Sequence, residues 1–276
     1  MGNSIDSILF QPPVPSRLKE DKIIWIKTET GTKIPAFFVK HTESGKSPKQ
    51  NITIIYSHAN AEDLGNIYPW CKFLSKKLQV NVIAYDYTGY GLALDQGPPN
   101  EVQCYRDIEA VYNYVKEEVG IPTNKIVLYG RSLGGGVSTY MAAQCGQNEE
   151  KIGGLVLHAS FLSVYRILMD SGCTLPGDQF VNIDICGEIR TPTLIIHGKK
   201  DSVVPFSHAK TLHKALHESC RTDPLFIDIM GHNNVQLVVR DLFLDHLREY
   251  LDVYVRGRTS RTSKSKKSKA KYSSNR

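Results

Sequence analysis

The 276-residue sequence has no apolar run approaching the roughly 20 residues that span a bilayer as a helix. It has no C-x-x-C pair, no H-E-x-x-H and no other metal-ligand spacing, so neither a metal nor a cofactor is expected. Its six cysteines, at positions 71, 104, 145, 173, 186 and 220, are few and scattered. Residues 1–22 lack the basic start and apolar core of a secretory signal. Reduced thiols in an intracellular, cytoplasmic protein are therefore expected, most of them packed as small buried side chains. No internal repeat is visible.

Acidic residues are absent from the last stretch of the chain. Residues 256–276 carry Arg256, Arg258, Arg261, Lys264, Lys266, Lys267, Lys269, Lys271 and Arg276. The formal net charge is +6, so a +9 tail leaves −3 on the remainder. The tail is rich in serine and poor in apolar residues, a composition that predicts disorder. No nucleic-acid-binding fold accompanies it, so an anionic membrane surface is favoured over nucleic acid. There each lysine or arginine contributes about 1 kcal/mol. Gly2 is a candidate for N-myristoylation, although Asp6 stands where the motif M-G-x-x-x-[ST] wants serine or threonine.

What the sequence does have is alternation. Strand-like and helix-like runs follow one another from residue 52 to residue 252, which predicts a mostly parallel sheet with helices on both faces. Ile23–Thr28 and Ile34–Val39 read as an antiparallel hairpin turning at Glu29-Thr30-Gly31-Thr32. The predicted organisation is an N-terminal segment over 1–22, one α/β domain over 23–252 and the basic tail over 256–276. A single long insertion, Ser160 to Ile189, lies between strands.

Within this frame one pentapeptide stands out. Gly130-Arg131-Ser132-Leu133-Gly134 follows the apolar run Lys125–Tyr129 and precedes a helical pattern from Gly135. Strand, sharp turn with a serine at its tip, then helix is the context in which G-x-S-x-G marks a nucleophile elbow. A serine hydroxyl needs a base to take its proton. In the α/β-hydrolase arrangement the chain order is serine, acid, histidine. Asp201 follows the strand pattern Pro192–Gly198. His232 follows the strand pattern Leu225–Met230 and precedes a helix expected from Val235. Both fall at strand C-terminal ends, where the ligands of open α/β sheets gather. Asp228, the rival acid, reads as lying inside a strand, and His197 reads as structural. Of His208, His213 and His217 only the last pair falls on one helix face, which reads as solvated and not as a metal site.

The remaining requirement is a pair of backbone N–H groups for the developing oxyanion. Leu133 is expected to supply one. The loop after the strand Ile52–Ser57 supplies the other, with Asn60 as first choice and Ala61 as the alternative. Phe161 and Leu168 of the insertion are candidates to line an acyl pocket, as an alternative to capping the core.

With these residues in place the sequence resembles the Bem-like branch of the α/β hydrolases, which includes membrane-associated protein depalmitoylases. The resemblance rests on Phe10–Ser16, Ser57–Gly65, Tyr85–Gly91, Tyr129–Gly136, Ile196–Pro205 and Gly231-His232-Asn233, and runs from about residue 9 to about residue 252. It implies an α/β-hydrolase fold, a Ser132–His232–Asp201 triad and, as substrate, an S-palmitoylated protein. Two departures stand out: Ala59 occupies a position that is usually glycine, and no cysteine precedes Cys71 to form an N-terminal palmitoylation cluster. The leading expectation is thus a serine hydrolase acting on acyl thioesters of proteins or on small acyl esters. A general carboxylesterase or lipase is the alternative. A peptidase and a non-catalytic scaffold rank below both.

Overall fold

The computed structural model describes residues 6, 9–42, 48–169, 172–235 and 239–259. Short apolar runs bounded by turn residues form the centre of the sheet. β3 (Thr53–Ser57), β4 (Asn81–Tyr85), β6 (Gly154–His158) and β7 (Thr193–Gly198) are buried along their whole length. β5 (Ile126–Arg131) is buried up to its last residue. Such burial on both faces is expected of parallel strands flanked by helices. At one edge, β1 (Ile24–Lys27) and β2 (Lys33–Val39) form the predicted hairpin. Its turn is closed by a 2.8 Å hydrogen bond from the Thr28 N–H to the Thr32 carbonyl. β8 (Leu225–Ile227) forms the other edge.

The described residues form an eight-stranded sheet in the order β1-β2-β4-β3-β5-β6-β7-β8. β2 pairs antiparallel with β1 and β4, and every other pairing is parallel. The helices are α1 (Leu64–Leu78), α2 (Glu101–Asn113), α3 (Leu133–Gln147), the short α4 (Val164–Leu168) and α5 (Asn182–Ile185), α6 (Phe206–Ala215) and α7 (Arg240–Tyr250). Residues of α1 and α7 pack with Phe37, Ile54, Val82 and Val127 on one face. Residues of α2, α3 and α6 pack with Ile55, Ile83, Leu128 and Leu157 on the other. This is the α/β-hydrolase fold.

Some expectations shift. β8 ends at Ile227, because the Ile227 carbonyl is taken by the Lys199 N–H at 2.9 Å and by the turn N–H of Met230 at 3.3 Å. Asp228 is therefore not in a strand. It lies in an exposed turn, 2.6 Å from Lys199 Nζ. Val235 is helical, as expected, just ahead of residues that are not described, and α7 starts at Arg240. His213 and His217 do not share a helix face, because α6 ends at Ala215. His208 is buried and its Nδ1 accepts from the Leu162 N–H at 3.3 Å, His213 Nε2 lies 3.0 Å from the Thr222 carbonyl, and His217 lies beyond the helix end.

Packing extends beyond residues 23–252 at both ends. Phe10 is buried, and Arg256 and Arg258 pair with Asp252 at 2.9 and 3.1 Å. Gly2 and residues 260–276 lie outside the described residues. All six cysteines are free thiols, and five of them are buried. Among the described residues no helix is long and apolar enough to cross a membrane.

Candidate active site

Ser132 links β5 to α3 with φ 50° and ψ −115°, a conformation that only surrounding structure can hold. That support is visible on both sides of the turn. The Ser132 N–H donates to the His158 carbonyl at 2.9 Å, and its carbonyl accepts from the Gly135 N–H at 2.8 Å. The two outer glycines of the pentapeptide are required by close approach. A Cβ on Gly130 would strike the Gly134 carbonyl, and one on Gly134 would strike the Ser57 carbonyl.

The elbow, the loop after β7 and the loop after β8 bring three side chains together. His232 Nε2 lies 3.1 Å from Ser132 Oγ, and His232 Nδ1 lies 2.8 Å from Asp201 Oδ2. Asp201 Oδ1 accepts from the Val203 and Val204 N–H groups at 2.9 and 2.8 Å. The carboxylate side chain is fully covered. Burial by itself would raise its pKa. The hydrogen bond and charge of His232, with the N–H groups of Val204 and Val203, outweigh that and hold it below the ordinary value. Asp201 is thus a carboxylate that fixes the ring by accepting at Nδ1, leaving Nε2 to face the serine.

His197 also approaches Asp201, at 3.5 Å, but its Nε2 lies 3.0 Å from the Val204 carbonyl. Burial lowers its pKa, so it is a neutral ring bracing the acid loop.

A cavity of about 680 Å³ opens beside Ser132, a size within the usual range for small-molecule sites. One wall is apolar and comes from the insertion, including Phe161, Val164, Ile167 and Leu168, with Val204 beside them. Phe161 is buried in this wall, whereas Leu168 is 59% exposed and forms part of the rim. Tyr56, Ile67, Trp70 and Val235 also line the cavity. Leu133, Asn60 and Ala61 all border the space next to the serine. Leu133 is the first residue of its helix, so its N–H has no carbonyl partner within that helix. The Ala59 N–H is taken by Glu62 Oε2 at 2.9 Å, which leaves Asn60 and Ala61 as the loop's candidates for a second donor. Among the described residues no cluster of metal-ligating side chains is found.

Two further side chains shape the site. The first is Arg131, whose guanidinium pairs with Glu62 and donates to Asn233 Oδ1 and to the His232 carbonyl. The second is His158, at the end of β6. Its Nδ1 lies 2.9 Å from the Tyr129 hydroxyl, and its buried Nε2 has no hydrogen-bond partner among the described residues. Burial, followed by the charge of Arg131, pushes its pKa well below the usual value, so it is neutral. No local sequence signal marks either one, because their contacts are long-range.

The profile of the phospholipase/carboxylesterase family matches residues 95–249, more than half of the chain. This chain belongs to that family of α/β hydrolases. The α/β hydrolase domain-containing protein 17B of Homo sapiens is 33% identical to this hydrolase over 228 residues, covering 82% of this chain and 73% of the human protein. The α/β hydrolase domain-containing protein aho-3 of Caenorhabditis elegans is 36% identical over 209 residues, and the match spans 75% of this hydrolase but only 59% of the worm protein. A solved esterase of Pyrococcus furiosus superposes with a TM-score of 0.70 at 16% identity, covering 89% of this hydrolase and 97% of the esterase, a likeness of fold.

Proposed function

We propose that the protein is a serine hydrolase that cleaves acyl esters and thioesters through a covalent intermediate on Ser132. The observation that carries this reading is the hydrogen-bonded chain Ser132–His232–Asp201, at 3.1 and 2.8 Å, beside an apolar-walled cavity. His232 Nε2 takes the Ser132 proton as Oγ attacks the acyl carbon. The carbonyl oxygen becomes an oxyanion held by the N–H groups of Leu133 and Asn60. His232 then passes the proton to the leaving oxygen or sulfur, and a water, deprotonated by the same ring, releases the acid.

The family description favours ester chemistry. Within it, the resemblance to depalmitoylases and the apolar wall support an S-acylated protein as substrate. A thiolate leaves readily because its conjugate acid has a pKa near about 8.5. An amide nitrogen would demand full protonation as it leaves, so peptide cleavage ranks lower.

The test is labelling with a fluorophosphonate, followed by turnover of matched ester and thioester panels. Ser132→Ala should abolish both labelling and turnover. Asp201→Asn and His232→Ala should each lower kcat by about three orders of magnitude or more with folding intact. Normal turnover by Ser132→Ala would remove the mechanism, and a panel in which thioesters are not cleaved would leave a carboxylesterase.

A further inference from the structure

The motif Phe10-Gln11-Pro12-Pro13-Val14-Pro15-Ser16 lies far from Ser132 in sequence and contributes nothing to a triad. In the fold it is laid across the loop that carries Asn60. Asn60 Nδ2 donates to the Leu9 carbonyl at 2.6 Å, and Asn60 Oδ1 accepts from the Gln11 N–H at 2.9 Å. The same Oδ1 accepts from the Tyr90 hydroxyl at 2.6 Å. Tyr90 is itself fully buried, so the third bond ties the clasp to the core.

Further along, the Ser16 N–H donates to Asp63 Oδ2 at 2.5 Å, and Asp63 caps α1 through the Asn66 N–H at 3.1 Å. Gly65 is bare because a Cβ there would lie 2.5 Å from Ser16 Cβ. The segment is anchored on its other side as well. Phe10 packs edge-on against Phe180 of the insertion at 6.2 Å, and Leu9 borders the cavity.

We infer that residues 9–16 are a strap that holds the oxyanion loop, and that the side chain of Asn60 is a positioning residue which fixes its own backbone N–H toward Ser132. This rests on the reading of that N–H as an oxyanion donor. The physical reason is entropic and electrostatic. A donor helps the transition state only if it is already aimed when charge develops, and a loop of small residues such as Ala59-Asn60-Ala61 has no bulk of its own to keep it there. Asn60 uses its amide donor and its carbonyl acceptor together, so neither an alanine nor an aspartate can replace it. Alanine loses all three bonds, whereas aspartate loses the donor and faces the Leu9 carbonyl with negative charge.

The strap makes a specific kinetic demand. Full-length Asn60→Ala and Asn60→Asp should lose about tenfold in kcat on a short soluble ester. KM should stay within about twofold, the pattern for a loss confined to the transition state. Affinity for an alkyl boronic acid, which adds to Ser132 as a tetrahedral mimic, should fall in parallel with kcat. Tyr90→Phe, which deletes one hydroxyl and keeps the ring, should show the same pattern at smaller amplitude. Val14→Ala, at a strap position 89% exposed, is the matched control and should behave as wild type.

Folding is followed by thermal melting. If the Asn60 variants do not fold, Tyr90→Phe carries the test. Unchanged kcat and boronate affinity in folded variants would overturn the strap, as would a rise in KM with kcat unchanged. Turnover by Ser132→Ala would instead overturn the underlying mechanism, so the two failures are distinguishable.

Discussion

Arg131 and Glu62 form a largely buried ion pair that joins the strand before the nucleophile to the loop after β3. The same guanidinium donates to the His232 carbonyl at 3.3 Å and to Asn233 Oδ1. One side chain therefore touches three segments that the proposed mechanism needs in register: the elbow, the loop after β3 and the loop that carries His232.

Removing it should be costly in a particular way. In Arg131→Ala, Glu62 keeps only its hydrogen bond with the Ala59 N–H, and an uncompensated, mostly covered carboxylate costs on the order of 1–3 kcal/mol. A lower melting temperature and a lower kcat are expected together. Arg131→Lys should rescue neither fully, since an ammonium cannot fork between Glu62 and Asn233. Melting curves and steady-state kinetics check this, and a fully active, fully stable Arg131→Ala would refute it.

The pH dependence of stability should carry the mark of Asp86. Burial raises its pKa to about 7, against the pull of the Leu64 N–H and with the help of Asp63. Its folded pKa lies above the unfolded value, so the folded state holds an extra proton between about 4 and about 7. Its stabilising effect is complete at low pH and is lost as pH rises through that window. Asp86→Asn keeps an acceptor for Leu64 and cannot ionise. Its urea midpoint should fall less than that of wild type between pH 5 and pH 8. Asp107, raised to about 6 by burial, remains and keeps some slope. Parallel slopes for the two proteins would exclude Asp86 as the source.

The acid limb has the opposite sign. The Asp201 pKa is depressed, so its contribution is present above the ordinary carboxylate range and disappears only as pH falls below it. Asp201→Asn should lose stability near neutrality and show a weaker dependence in strong acid, as read from denaturation midpoints across pH 2–5.

Chain-length preference tests the insertion wall. A buried methylene contributes about 0.8 kcal/mol, so activity should climb from acetyl towards longer acyl groups while the wall continues. Leu168→Asp, at an exposed rim position, should lower the ratio of long-chain to acetyl turnover with little effect on folding. Phe161→Asp, in the buried wall, should do so with a drop in melting temperature. A protein that prefers acetyl esters before and after these changes would place the acyl chain elsewhere.

The proposed contact of the tail with anionic lipid is tested by truncation after Thr259. That cut spares Arg256 and Arg258, which are paired with Asp252, and removes the other seven basic residues of the tail. Binding to anionic liposomes should drop towards that seen with neutral ones, and the full-length difference should fade as salt shortens the screening length below about 8 Å. Gly2→Ala should weaken binding further only if Gly2 is acylated. Equal binding of the full-length and truncated proteins would mean that the tail does not hold the membrane.

Much of this site was legible before the fold was known, for physical reasons. The Ser132 turn is written in adjacent residues, because strain and close approach force glycine at 130 and 134. Asp201 and His232 each follow a buried apolar run, and parallel strands bring such ends to one edge. The strap and the arginine clamp were not legible. Arg131 meets partners 69 and 102 residues away, and Asn60 meets Leu9 across 51 residues. Spacing carries no information at that range. The length of β8 was misread for a related reason. Leu225–Met230 is apolar enough for a longer strand, but the Ile227 carbonyl serves Lys199, just past β7, and the Met230 turn together.

The exit point of the basic tail has a mechanical consequence. Arg256 donates to the Leu78 and Gln79 carbonyls, at the C-terminal end of α1, whereas Asn66 and Ile67, at the N-terminal end of that helix, border the same cavity as Ser132. At about 1.5 Å per residue, the 15 residues of α1 put about 20 Å between tail root and catalytic mouth. A surface that captured the tail close to its root at Arg256 would hold the molecule base first, with its mouth turned outward. An acyl chain still sunk in that same leaflet would have to be pulled free before reaching Ser132, at about 0.8 kcal/mol for each methylene withdrawn. Such an orientation would spare the supporting bilayer and select acyl groups that arrive from the aqueous side, already lifted clear of lipid.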